Sequence, residues 1–281
     1  MICIAESGST KTIWVLLDSN YIEVLRSTSV GLNPYYATES DISRVVETTL
    51  PVNFHSQIDQ VHFYGAGCSN SERCAIVERS IQKVLIGSKV NVEHDLLASA
   101  RATCQRESGI ACILGTGSNS CAFDGKNIID NIPSMGFILG DEGSGASLGR
   151  SLLSAWFYRE LPADLEKRFI ERFQVTQKEI IDKVYSEPNS NRYVASFAVF
   201  CAENRDHSFV QNLIKKNFEL FVSRMVLKYE TAPALPIHFV GSVAEGFQSE
   251  LNEVLENHDL TMGRIIKSPI DELIKFHCDG I

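Results

Sequence analysis

The chain has 281 residues, 44% of them hydrophobic and 22% charged, with a formal net charge of −9. That length supplies roughly two domains of ordinary size, and the apolar content is enough for a packed core in each. The acidic balance argues against a nucleic-acid partner, which needs a basic face to displace counterions from phosphates. No apolar run approaches the roughly 20 residues of a membrane span. A small anionic ligand held by local backbone amides stays compatible with the overall charge.

The opening residues, Met1-Ile2-Cys3-Ile4-Ala5, lack a basic stretch and meet Glu6 at once. They read as a strand and not as a leader peptide. The eight cysteines are scattered singly, with no C-x-x-C pair. Buried apolar thiols of a cytoplasmic protein explain them better than a disulfide framework or a metal site.

Apolar runs at 2–5 and 13–17 flank a small-residue turn and predict a β-hairpin. A third strand is expected over 21–29, a helix over 41–50, a buried strand over 61–64, a helix over 71–85 and a strand over 90–92 that ends near Asp95. This order favours an α/β domain with a mixed sheet. Near Gly109 the pattern restarts: an apolar run at 110–114, a Gly/Ser/Thr turn at 115–120 and a strand at 121–123. The repeat predicts two lobes that each open with a hairpin, with a boundary near 106–109. Residues 146–229 read as mostly helical. Leu148, Leu152 and Trp156 share one helix face, Thr176 and Glu179 form a capping box, and Val210, Ile214, Phe218, Phe221 and Met225 make a core stripe. A strand returns at 237–240, and Pro269 is expected at the first position of a last helix.

Several loops carry the candidate chemistry. Ser7-Gly8-Ser9-Thr10-Lys11-Thr12 packs hydroxyls and a lysine onto a tight turn, suited to aiming amides and hydroxyls at phosphate oxygens. It is not a Walker A loop: the first glycine is missing and a strand follows where a helix is required. Alone it is an ordinary hairpin turn more often than a phosphate site. The second loop, Gly115-Thr116-Gly117-Ser118-Asn119-Ser120, has the same chemistry, and Gly241-Ser242-Val243-Ala244 hands a strand over to a helix whose first amides are free. Gly136 to Gly145 is the densest glycine stretch and places Asp141 and Glu142 before a helix. Carboxylates there cap helices commonly, but four glycines suggest a ligand lying against the backbone. Asp95 stands where a strand ends, a place where open α/β sheets collect ligands. It suits a base that accepts the proton of an attacking hydroxyl and suits a helix cap equally well.

Together these residues resemble the N-acetylglucosamine kinase-like branch of the actin/hexokinase/Hsp70 superfamily, within the BadF/BadG/BcrA/BcrD-type ATPase grouping. The resemblance spans nearly the whole chain, and its most specific part joins 114–119 to 140–144. It implies two ribonuclease-H-like, actin-like ATPase lobes around a nucleotide cleft, one over 1–107 and one over 108–281, with the final helix (about 269–279) packing back on the first. It implies an ATP-dependent kinase acting on a hydroxyl, the 6-hydroxyl by expectation, of an amino sugar such as N-acetylglucosamine.

By the same resemblance Asp95 is the catalytic base. Ser9, Thr10, Lys11, Thr12, Thr116, Gly117, Gly241 and Ser242 bind ATP. Asn33, Ser118, Asn119, Met135, Gly136 and Asp141 face the sugar, and Glu6 holds Mg²⁺ through water. Glu6 stands where relatives have Asp, and Met135 where they often have Trp. A homodimer is also implied. Alternatives within the superfamily are an activase without kinase activity, whose iron–sulfur cluster would need clustered cysteines, and a sugar or nucleotide sensor. A dinucleotide oxidoreductase is disfavoured, because Gly65-Ala66-Gly67-Cys68-Ser69-Asn70 lacks the third glycine.

Overall fold

The protein is described from a computed structural model, covering residues 1–8 and 10–278. It divides into two compact units. The first comprises 1–106, 125–127 and the segment from Pro269 onward; the second comprises 107–124 and 128–268.

The first unit runs β1 (Ile2–Ser7), β2 (Lys11–Leu17), β3 (Glu23–Val30), α1 (Glu39–Thr49), α2 (Val52–His55), β4 (Gln60–Gly65), α3 (Ser71–Val84), β5 (Lys89–His94) and α4 (Asp95–Cys104). Its five-stranded sheet has the order β3-β2-β1-β4-β5. The first three strands are antiparallel, while β1, β4 and β5 are parallel. The central strands are apolar on both faces because both are covered, whereas the edge strand β3 alternates between exposed and half-buried residues. Trp14, Phe63, Ile42, Val46, Val77 and Ile81 fill its core. In register, Ser7 pairs with Gly65 and Gly65 with His94. The turns that follow these three strands therefore leave the sheet along one edge.

β3 begins at Glu23 and not at 21, because Asp18 closes an Asx turn: its Oδ1 accepts from the Asn20 and Ile22 amides at 2.8 and 2.9 Å. Tyr21 inside that turn has φ 61°. α1 starts two residues earlier than expected, capped reciprocally by Thr38 and Asp41.

The second unit runs β6 (Ser108–Leu114), β7 (Ser118–Asp124), β8 (Ile128–Asp130), α5 (Gly136–Leu139), α6 (Gly145–Phe157), α7 (Ala163–Phe173), α8 (Gln177–Ser186), α9 (Ser190–Ser196), α10 (Ala198–Glu203), α11 (Ser208–Arg224), β9 (Ile237–Val240), α12 (Ser242–Gly246), α13 (Gln248–Glu256) and β10 (Met262–Ile266). Its sheet, β10-β9-β6-β7-β8, repeats the first topology strand for strand: an antiparallel trio from the opening hairpin, then two parallel additions. The restart near Gly109 is thus a second copy of the same plan. Val240 pairs with both Ile113 and Ile266, so the turns after β6 and β9 also leave along one edge. The expected stripe on α11 and the expected face of α6 are buried in a core rich in phenylalanine, including Phe169, Phe197, Phe200, Phe218, Phe221 and Phe239.

The last helix, α14 (Ile270–Cys278), belongs to the first unit, where it packs on α4. Pro269 lies one residue before the helix, its carbonyl accepting from the Leu273 amide. His277 stacks on His62 with centroids 4.0 Å apart, and its Nε2 lies 2.9 Å from the Tyr64 hydroxyl, which accepts from Arg101 at 2.8 Å. The Phe276 ring is covered by the guanidinium groups of Arg101 and Arg106.

Candidate active site

At the carboxyl edge of the first sheet, Glu6, the loop after it, the Gly65–Gly67 turn and Asp95 come together. Asp95 opens α4 with its side chain 25% exposed. Burial raises its pKa, while His94 and the amides of Leu96 and of Asp95 itself work the other way. His94 caps the helix: its Nδ1 accepts from the Leu96 amide at 3.1 Å and stands 3.0 Å from Asp95 Oδ1. His94 is the N-cap of the helix, and the Asp95 carboxylate, which also meets the first amides of the helix, keeps a quarter of its side chain exposed. Glu6 is pushed up to about 7, first by burial and then by the negative charge of Asp95, with Lys11 offsetting part of the shift.

The first loop is narrower than its sequence suggests. Thr12 is fully buried, with Oγ1 at 2.8 Å from Ser7 Oγ and 2.9 Å from the Val30 carbonyl. Ser7 Oγ in turn accepts from the Leu32 amide at 2.9 Å. Thr12 thus has no hydroxyl to offer a phosphate, and it fixes the hairpin base instead. This corrects its expected contact. The Gly8 amide also closes its own turn onto the Lys11 carbonyl at 3.0 Å. Thr10 and Lys11 are exposed; Ser9 lies outside the described residues.

Asn33 is half-buried, and its Oδ1 accepts from the Tyr35 amide at 2.9 Å. It rests directly on Gly67, where a Cβ would come within 2.2 Å of Asn33 Oδ1 and φ is +84°. The turn that mimics a dinucleotide fingerprint therefore makes room for this asparagine. Arg73 secures the loop beneath, donating to the Pro34 carbonyl at 2.9 Å and lying over the Tyr35 ring.

In the second unit, the turn after β6 contains only Gly115, Thr116 and Gly117. Ser118, Asn119 and Ser120, expected in that turn, are strand residues of β7, because Leu114 already pairs with Ser118. The turn is mounted on α6: the Gly145 amide donates to the Gly115 carbonyl at 2.8 Å and the Ala146 amide to the Thr116 carbonyl at 3.1 Å. The free amides of a helix start are thereby used to hold the loop. Gly241, at φ +126°, lies against the same turn: a Cβ there would stand 2.3 Å from the Leu114 carbonyl oxygen. The Gly115–Gly117 turn and the Gly241–Ser242 turn are therefore neighbours, with Ser242 exposed.

Asp141, in the left-handed region at φ 59°, lies over this turn. Its Oδ2 would be 2.8 Å from a Cβ on Gly117, and its Oδ1 accepts from Ser134 Oγ at 3.0 Å. Burial raises its pKa, and the Ser134 hydroxyl opposes that shift. Ser118, Ser134, Met135, Gly140 and Asp141 line one small pocket. Asn119 Oδ1 accepts from the Ser120 amide at 2.9 Å. Met135 is 61% exposed, and Gly136 has φ 72°.

Three supports went unseen in the sequence. Asn217 Oδ1 accepts from the Gly143 amide at 3.2 Å, and its Nδ2 donates to the Ser144 carbonyl. The Tyr229 hydroxyl joins Ser120 Oγ to the Ile132 amide. Glu142 pairs with Arg224. A polar residue beside the apolar stripe of α11 was the available signal for Asn217. Nothing local marked the other two.

Among the described residues, no three His, Cys, Asp or Glu side chains are grouped to hold a metal by themselves. No helix among them is long and apolar enough to cross a membrane. None of the eight cysteines is in a disulfide among the described residues; six are buried and Cys74 and Cys278 are half-buried.

No family model matches the chain. An N-acetyl-D-glucosamine kinase of Dictyostelium discoideum is 26% identical over 194 residues, which are 62% of this chain and 60% of that protein's length. A ROK-family glucokinase from Streptomyces griseus, solved with glucose and AMPPNP, shares the fold at a TM-score of 0.56 and 12% identity, covering 97% of this chain and 96% of its own. A candidate N-acetylglucosamine kinase from Porphyromonas gingivalis superposes with a TM-score of 0.95 at 38% identity, covering 100% of this chain and 99% of that one. With its doubled β-sheet plan and a near-complete structural match at that identity, the chain belongs to the N-acetylglucosamine kinase-like family of actin-like ATPase folds.

Proposed function

We propose that the protein transfers the γ-phosphoryl group of ATP to the 6-hydroxyl of an amino sugar such as N-acetylglucosamine. The observation that carries this reading is Asp95. Its side chain sits at the carboxyl edge of the parallel strands, a quarter exposed, beside the N-cap His94. The relatives' names supply the substrate class, and the glucokinase neighbour was solved with an ATP analogue.

In the proposed reaction, Asp95 orients the sugar hydroxyl and takes its proton. The hydroxyl oxygen then bonds to the γ-phosphorus as the bond to the β-phosphate oxygen breaks, releasing ADP. Thr10, Lys11, Thr116 and Gly117 take the phosphates, and Gly241 and Ser242 the adenosine. Asn33, Ser118, Asn119, Met135, Gly136 and Asp141 take the sugar. Glu6, a carboxyl raised by burial and by the neighbouring charge of Asp95, fits a divalent cation that would relieve that repulsion. Mg²⁺ typically takes one or two carboxylates and completes its shell with waters and substrate phosphates. Bound there, with Glu6 acting through water, it would supply charge neutralisation of the phosphates.

A coupled assay of ADP release across N-acetylglucosamine, glucosamine, N-acetylmannosamine and glucose tests the reading. Turnover greatest with an amino sugar is expected. Intact ATP binding with no turnover on any of the four sinks it.

A further inference from the structure

Residues 133–140 carry a one-turn helix, α5, with Met135, Ile138 and Leu139 exposed by 61%, 79% and 71%. Glycines bracket it, Gly136 at φ 72° and Gly140 at the other end. No residue of the turn is fully buried, although Phe137 packs partly on the core. A segment with so little buried surface has low local stability unless something else ties it down. Here the tie is Arg150. Its Nη1 donates to the Phe137 carbonyl at 2.6 Å, a charge-assisted bond that grips the backbone of α5 itself.

Arg150 lies on α6, the helix whose first amides hold the Gly115 and Thr116 carbonyls. One helix thus mounts the turn after β6 at its N-terminus and α5 from its flank. Asp141, which closes the α5 segment, lies over Gly117 of that turn. The charge of Arg150 also favours the ionised form of Asp141.

We propose that Arg150 is a positioning residue for the sugar: it holds α5 and Asp141 in the arrangement that binds substrate, without itself touching substrate or ATP. The proposal rests on the kinase reading above. It separates the two substrates, because the mounting of the phosphate turn uses α6 backbone amides that a change at Arg150 leaves in place.

The test compares the wild type with Arg150→Gln and Arg150→Lys in steady-state kinetics and in backbone hydrogen exchange over 133–141. For Arg150→Gln the KM for the sugar rises by about tenfold or more, from loss of a charged hydrogen bond. The KM for ATP stays within about twofold, and exchange over 135–140 quickens. Arg150→Lys, which keeps one charged donor, recovers most of the sugar KM. Unchanged exchange over 135–140 in Arg150→Gln overturns the proposal, as does an equal rise in both KM values. If Arg150→Gln does not fold, Arg150→Lys decides, since a sugar KM and an exchange rate both equal to wild type support the tie and a general loss refutes it. A wild type inert toward every sugar overturns the kinase reading instead, and that result is read before any variant is made.

Discussion

The charge of Asp95 holds Glu6 toward its neutral form: burial raises both carboxyls, and Asp95 lifts Glu6 further, to about 7. Glu6 has an unfolded value of 4.5, so between 4.5 and 7 the folded chain holds a proton that the unfolded chain releases. The stability from that proton is complete below pH 4.5 and is lost as pH rises through 7. Glu6→Gln should therefore exceed the wild type by about 1–3 kcal/mol at pH 8 and match it near pH 4.5. Denaturant melts at the two pH values check this, and a difference independent of pH would refute it. Mg²⁺–ATP should narrow the gap at pH 8 by neutralising the carboxylate.

Asp95→Asn keeps the shape of the side chain and removes its ability to accept a proton. We expect kcat to fall by about 10²–10⁴, with ATP binding preserved. In the wild type the acidic limb of the rate profile should lie above the usual carboxylate range, because burial raises this group. Single-turnover rates against pH report both. A variant that keeps most of its rate removes Asp95 from the base position.

Two glycines on neighbouring turns should behave oppositely. Gly241→Ala places a Cβ 2.3 Å from the Leu114 carbonyl oxygen at φ +126°, and should cost about 3 kcal/mol or more. A Cβ on Gly115 meets nothing within 4 Å. Gly115→Ala should fold with a change under about 1 kcal/mol yet raise the KM for ATP, since the new methyl enters the space proposed for phosphate. Thermal melts and ATP titrations of both variants separate the effects. Unaltered ATP affinity in Gly115→Ala would move the phosphate elsewhere.

The stacked pair His62 and His277 titrates in the opposite sense to Glu6. Burial first, then Arg101 and Lys89 for His62, and the neighbouring histidine with Arg101 and Arg106 for His277, bring them to about 4 and about 3 from 6.5. Their contribution is complete above pH 6.5 and is lost as pH falls toward 4. His62→Phe keeps a ring on His277 and removes one titrating group. Its stability should fall less between pH 6.5 and 4, by about 1–2 kcal/mol after screening. Identical slopes for the two proteins would rule this out.

Much of the fold was legible because it is local. The hairpins show as apolar runs about small-residue turns, and the capping box at Thr176 is written within four residues. The Gly/Ser/Thr turns were legible as turns, but their inner geometry was not. Thr12 looked like its neighbours until the pairing of β2 with β3 turned it toward the Val30 carbonyl. Ser118 to Ser120 looked like loop until the ladder with β6 claimed them. Arg150 and Tyr229 were out of reach for a different reason. Each acts on a backbone group far along the chain, and neither periodicity nor composition encodes such pairings.

The return of α14 to the first unit has a consequence for synthesis. A chain made from its N-terminus lays down β1 to α4 long before residues 270–278 leave the ribosome. Until then His62, Tyr64 and Arg101 lack their partners on α14, and the first unit waits, unsealed, while the whole second unit is translated and free to fold. The second unit is thus the one able to mature first, and the unit begun earliest is the last to be finished.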